Sequence, residues 1–152
     1  MRSNREKNMI PIQTILAPID FSDKSQHAAE FAAWLAVHHK AELYLLYVTD
    51  PLSSIGCVGN GYVKAAQQSS IPEKLAQLAA IISRKAEDAI PVQAIQMAGT
   101  PVHQVILDKA RDLEVDLIVM PTPGRRGLGS ILKKSVTALV MQQAPCHVFF
   151  VR

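Results

Sequence analysis

Five short apolar runs, at residues 12–19, 43–48, 92–97, 117–120 and 147–151, are separated by longer stretches, and no two runs are close enough to make a hairpin. Strands separated in this way pair in parallel, because each return to the same edge needs a crossover and a helix supplies it. Right-handed crossovers then give an open α/β sheet with helices on both faces. The chain of 152 residues, 49% of them apolar, has room for one such domain, which would bury roughly two-thirds of its unfolded surface. Residues 1–10 are polar and charged and are expected to form a flexible tail, leaving 11–152 as the domain.

The intervening stretches carry helix signals. After the first run, Asp20, Phe21, Ser22 and Asp23 make a turn with several candidate caps, and Ala28, Ala29, Phe31, Ala32, Leu35 and Ala36 place an apolar stripe on a helix ending near His39. Ser70 and Glu73 have capping-box spacing around Pro72, with an amphipathic pattern to about Asp88. Thr100 is the expected cap of a third helix, with Pro101 at its first position and an end near Leu113. A fourth is predicted over about 130–143. Residues 52–69 show no sustained period and read as a lid, binding loop or disordered insert.

Charge and composition narrow the function. The net charge is +3, but Lys and Arg are dispersed and only 5% of residues are aromatic, so neither a basic duplex-binding face nor a stacking platform for single strands is evident. Nucleic acid is not an expected partner. No stretch approaches the roughly 20 apolar residues of a membrane span. Two cysteines without metal-type spacing, Cys57 and Cys146, fit a reducing cytoplasm; Cys146 reads as inert packing.

Ligands of open parallel sheets sit outside the carboxyl ends of the strands, where the strand order reverses. Asp20 follows the first strand, and the fourth feeds a Gly-rich loop through Gly124 toward a helix, an arrangement whose backbone N–H groups suit a phosphate. Arg125 and Arg126 either clamp phosphate with their guanidinium forks or form a solvated pair. Asp20 is either a ligand acceptor or a turn former, and Val48 either a site wall or core.

The segments ILAPIDFSDKS, LLYVTDP, AGTPVHQVI, DLIVMPTPGRRGL and APCHVFFVR together resemble the universal stress protein family over nearly the whole chain after the tail. The resemblance implies a five-stranded parallel sheet in the order 3-2-1-4-5, a cytoplasmic protein, and a homodimer joined along the last strand, His147, Val148, Phe149, Phe150 and Val151. It also implies an adenine nucleotide, ATP or AMP, with magnesium as an optional companion. On the adenosine side it points to Asp20, with Pro18 and Ile19 before it, and to Val48 and Gly99. On the phosphate side it points to Gly124, Arg125, Arg126, Lys134, Ser135 and Val136. The ATP-binding pattern of the family has glycines where this chain carries Pro121 and Lys134. Pro121 deletes an N–H and stiffens the loop entrance, whereas the Lys134 ammonium can itself meet a phosphate.

Three readings follow. The first is a stress-response or signalling module that binds an adenine nucleotide through a weakened phosphate loop, with no dedicated catalytic residues and no metal ligands. The second is a nucleotide-independent interaction dimer. The third, a slow ATP hydrolase, finds no general base or paired carboxylates beyond Asp20.

Overall fold

A computed structural model describes residues 11–54, 70–122 and 135–152 of the chain. Its sheet is built from β1 (Thr14–Ile19), β2 (Glu42–Thr49), β3 (Val92–Ala98), β4 (Leu117–Pro121) and β5 (His147–Val151), all parallel, in the order β3-β2-β1-β4-β5. The crossovers are α1 (Asp23–His39), α2 (Ile71–Lys85), α3 (Val102–Asp112) and α4 (Val136–Gln143). The parallel pairing through helical crossovers is what the alternation demanded, and the strand order is the one the resemblance implied. No helix among the described residues is long and apolar enough to cross a membrane.

Two apolar layers hold the sheet. On one face α1 and α2 bury Ala28, Ala32, Leu75 and Ile82 against Ile15, Leu43, Leu45 and Val119. On the other, α3 and α4 bury Ile106, Leu107 and Val140 against Leu16, Leu46 and Ile118. The alanines of α1 let that helix lie close to the central strands, and β1, covered on both sides, is buried and apolar from Ile15 to Ile19.

Several local expectations are corrected. Residues 12 and 13 precede β1, while β2 and β3 run through Thr49 and Ala98, one residue beyond their apolar cores. Ser70 makes no side-chain cap hydrogen bond, because its backbone is already helical and its hydroxyl cannot reach back over the first turn. The cap of α3 is Pro101, in extended backbone after a cis Thr100–Pro101 peptide, so Thr100 is displaced from that role. α2 stops at Lys85, where Glu87 and Asp88 turn into left-handed backbone (φ 53° and 52°). α4 begins at Val136: Ser135 is extended and its hydroxyl oxygen accepts the Ala138 N–H. Within the predicted irregular stretch, Pro51–Ser54 is a single 3₁₀ turn, and 55–69 lie outside the described residues.

The β1 and β4 strands are joined firmly at their amino ends. Asp116 Oδ2 accepts the N–H groups of Gln13 (2.8 Å) and Thr14 (3.0 Å), and the Asp116 N–H donates to the Thr14 carbonyl (3.0 Å). Asp116→Ala, which strands both N–H groups, is expected to cost about 1–2 kcal/mol. Urea unfolding checks this, and an unchanged midpoint would remove Asp116 from the account. At the carboxyl end the same pair separates. The β1·β4 ladder holds only Ile15–Leu117 and Leu16–Ile118, while β1·β2 continues to Ile19 and β4·β5 to Pro121.

Candidate functional site

The separation of β1 from β4 opens a cleft of about 270 Å³ at the carboxyl edge of the sheet. Its walls come from the ends of β1 (Pro18, Ile19, Asp20), β2 (Leu46, Tyr47, Val48) and β4 (Met120, Pro121) and from the first turns of α3 (Val102, Ile106) and α4 (Val136, Thr137). The strand order reverses between β1 and β4, so the cleft sits where a parallel sheet of this kind presents a ligand site.

Asp20 is the one charged side chain among the described residues lining it. Its Oδ1 accepts both the Ser22 N–H (2.9 Å) and the Ser22 hydroxyl (2.5 Å), an Asx turn that fixes the carboxylate at the cleft mouth. Ser22 rather than Asp20 caps α1, its hydroxyl oxygen accepting the Ser25 N–H at 3.2 Å. The buried Ser25 hydroxyl in turn donates to the Ser22 carbonyl (3.0 Å) and accepts the Asp20 N–H (3.3 Å). Partial burial alone would raise the Asp20 pKa, but the Ser22 hydroxyl and N–H, with the Ser25 hydroxyl, outweigh it and hold the carboxyl below its ordinary value. Asp20 therefore stays an anion with Oδ2 unclaimed among the described residues.

The turn that delivers Asp20 is strained. Phe21 has φ 63°, a region a bulky side chain rarely occupies. Gln26 Nε2 holds its carbonyl at 3.0 Å, and its ring packs on Tyr47 with centroids 5.1 Å apart. Tyr47 is itself a cleft wall, so the strained turn and the wall brace one another.

The structure thus brings together Pro18, Ile19, Asp20, Val48 and Val136 from the predicted set, with Ser135 adjacent as the α4 cap. Gly99 stands apart from the cleft lining. Its N–H donates to the Thr49 carbonyl (3.0 Å), and a Cβ there would come 2.6 Å from Val105 Cγ2, so any side chain would force Val105 of α3 to shift. Gly124, Arg125, Arg126 and Lys134 lie outside the described residues. Sequence reasoning missed Ser25, Leu46, Tyr47, Val102, Ile106, Met120 and Thr137. Val102 and Ile106, four apart on α3, have the spacing of a core stripe; the available signal was that α3 is the crossover from the edge strand β3 to β4 and so starts at the carboxyl edge.

Residues 11–152 match the model of the universal stress protein family. The chain belongs to that family. Among its curated members, YxiE of Bacillus subtilis is 32% identical over 145 residues, covering 91% of this chain and 97% of that one. Among solved structures, a family member, UspA from Lactobacillus plantarum, superposes with a TM-score of 0.73 at 26% identity, covering 95% of this chain and all of that one. A family structure in complex with cAMP shares the fold, with a TM-score of 0.68 at 21% identity over 94% of this chain and 98% of that one.

The remaining chemistry of the described residues is sparse. No three His, Cys, Asp or Glu gather among them. Cys146 is half-buried just before β5; burial foremost, then the Asp116 carboxylate, raise its pKa and keep it a neutral thiol near pH 7.

Proposed function

We propose that this chain binds the adenosine part of an adenine nucleotide, ATP or AMP, in the carboxyl-edge cleft, and that it serves a stress-response or signalling role in the cytoplasm. The observation that carries the reading is the Asp20 carboxylate, braced by Ser22 through Oδ1 and with no hydrogen bond to Oδ2 among the described residues, at the mouth of a cleft walled by Ile19, Val48 and Val102. An apolar cleft suits a flat purine face. An acceptor-only anion at its rim suits the exocyclic amino group of adenine and repels the carbonyl oxygen that guanine or hypoxanthine carries at the same place. The family complex with cAMP supports an adenine ligand on this fold. Pro121, entering the loop after β4, brings no N–H to a phosphate, so the adenosine contacts carry most of the affinity.

Calorimetry of the full chain tests this. AMP and ATP with magnesium should both bind, and inosine monophosphate should bind more weakly than AMP. No heat from AMP at millimolar concentration would end the nucleotide reading.

A second reading is favoured by a separate surface. β5 is an open edge of the sheet, and Phe149 on it is 42% exposed. Its ring stacks on Phe31 of α1 (5.1 Å), which meets Trp34 (5.6 Å), itself 53% exposed. An apolar strand edge continuous with exposed aromatic rings needs a cover. A second copy paired along His147, Val148, Phe149, Phe150 and Val151 provides one, and such a homodimer can act with or without nucleotide.

A further inference from the structure

The N–H and C=O of a strand residue point to the same neighbour, and successive residues alternate. The Gln13 carbonyl accepts from Glu42 N (2.8 Å), so odd-numbered residues of β1 face β2 and even-numbered ones face β4. The Val151 carbonyl accepts from Thr122 N (2.8 Å), so within β4, from Leu117 on, even-numbered residues face β5 and odd-numbered ones face β1, while Asp116, whose N–H reaches Thr14, lies before the strand. Past Leu16–Ile118, the next two rungs of the β1·β4 ladder would therefore use two particular donors: the N–H of residue 18, given to the Val119 carbonyl, and the N–H of residue 121, given to the residue 18 carbonyl. Both positions are proline, and the ladder ends there.

We infer that Pro18 and Pro121 are paired positioning residues that keep β1 and β4 apart at their carboxyl ends and so hold the ligand cleft open. The two rings lie on facing strands, and both line the cleft. Their effect is chemical as well as steric. The carbonyls of Pro18 and Val119 lose their ladder donors and face the gap, so this edge of the site offers hydrogen-bond acceptors, beside the Asp20 carboxylate, to a ligand edge carrying N–H or O–H groups. Pro121, a loss when seen as part of a phosphate loop, becomes one half of a spacer. The same two strands are tied at their other end by Asp116, which makes the pair a wedge with a fixed hinge side.

The inference rests on the adenosine reading only for the identity of the ligand, and the experiment separates the two. In the full-length Pro18→Ala/Pro121→Ala variant, hydrogen exchange is followed at the new amides of positions 18 and 121, and AMP binding is measured by calorimetry. The expected result is exchange at least about 100-fold slower than in an unstructured peptide, with AMP affinity lowered about tenfold or more. Each single variant should protect its own amide. Protection combined with lost affinity is a pairing that general destabilisation does not produce. Exchange at the unstructured rate would show that the rest of the fold holds the strands apart, and would overturn the inference. Protected amides with unchanged AMP affinity would overturn it equally, since the gap would not be the ligand's place. If the wild-type chain binds no AMP, the nucleotide reading fails, and amide protection still decides whether the prolines part the strands.

Discussion

Asp20→Asn is expected to lower the affinity for AMP about 10- to 100-fold, the worth of a hydrogen bond to a charged group, and to bring inosine monophosphate up to or above AMP. The substitution keeps the shape of the side chain and its capacity to accept from Ser22, so the turn at Phe21 and the cap of α1 survive. What changes is the free edge. A carboxylate oxygen can only accept, whereas the amide also donates, and a donor at the rim meets the carbonyl oxygen of hypoxanthine instead of repelling it. The pH dependence has a definite sign. Because the folded pKa of Asp20 is lowered, the carboxylate persists through its ordinary titration range, so the affinity for adenosine, which lacks the phosphate that itself titrates at about pH 6, should be flat between about pH 8 and pH 5 and fall only in stronger acid. Adenosine affinity that declines between pH 7 and pH 5, or an Asp20→Asn variant that keeps the wild-type preference, would contradict the role assigned to this residue.

Phe149→Asp is expected to weaken self-association roughly 30-fold or more, as loss of a central aromatic anchor does. In a two-fold pair along β5 the residue is used twice, so each substitution buries two carboxylates near one axis. The isolated protomer should tolerate the change, because Phe149 is already 42% exposed. Sedimentation velocity on both proteins reads the effect. Trp34, the single tryptophan, reports independently, since a ring 53% exposed in the protomer should shift its emission to the blue on association. A wild-type chain that stays monomeric at high concentration, or a variant as dimeric as wild type, would reject the β5 interface.

The sheet was legible because its burial is two-sided: runs such as residues 15–19 and 117–121 are continuously apolar, as strands covered on both faces are. β5 matched residue for residue. Helix starts were less legible. Ser70 and Thr100 have the right side chains for caps, but capping is decided by backbone geometry, and the chain enters α2 already helical and enters α3 through Pro101. The carboxyl-edge cleft was visible through Asp20 at a strand end, whereas Val102 and Ile106 were hidden because an apolar cleft wall and a core stripe have the same periodicity. The facing prolines could not be read from the sequence at all. Pro18 entered as a neighbour of Asp20 and Pro121 as a lost phosphate donor, and only the ladder register puts their missing N–H groups opposite one another.

A crystal structure of the full chain grown with AMP tests the central claim most directly. The base should lie in the cleft between Ile19 and Val48, with its exocyclic nitrogen within about 3.2 Å of the Asp20 carboxylate and the Pro18 carbonyl facing the ligand. Density for AMP at any other surface, or an empty cleft at a concentration where calorimetry shows saturation, would contradict it.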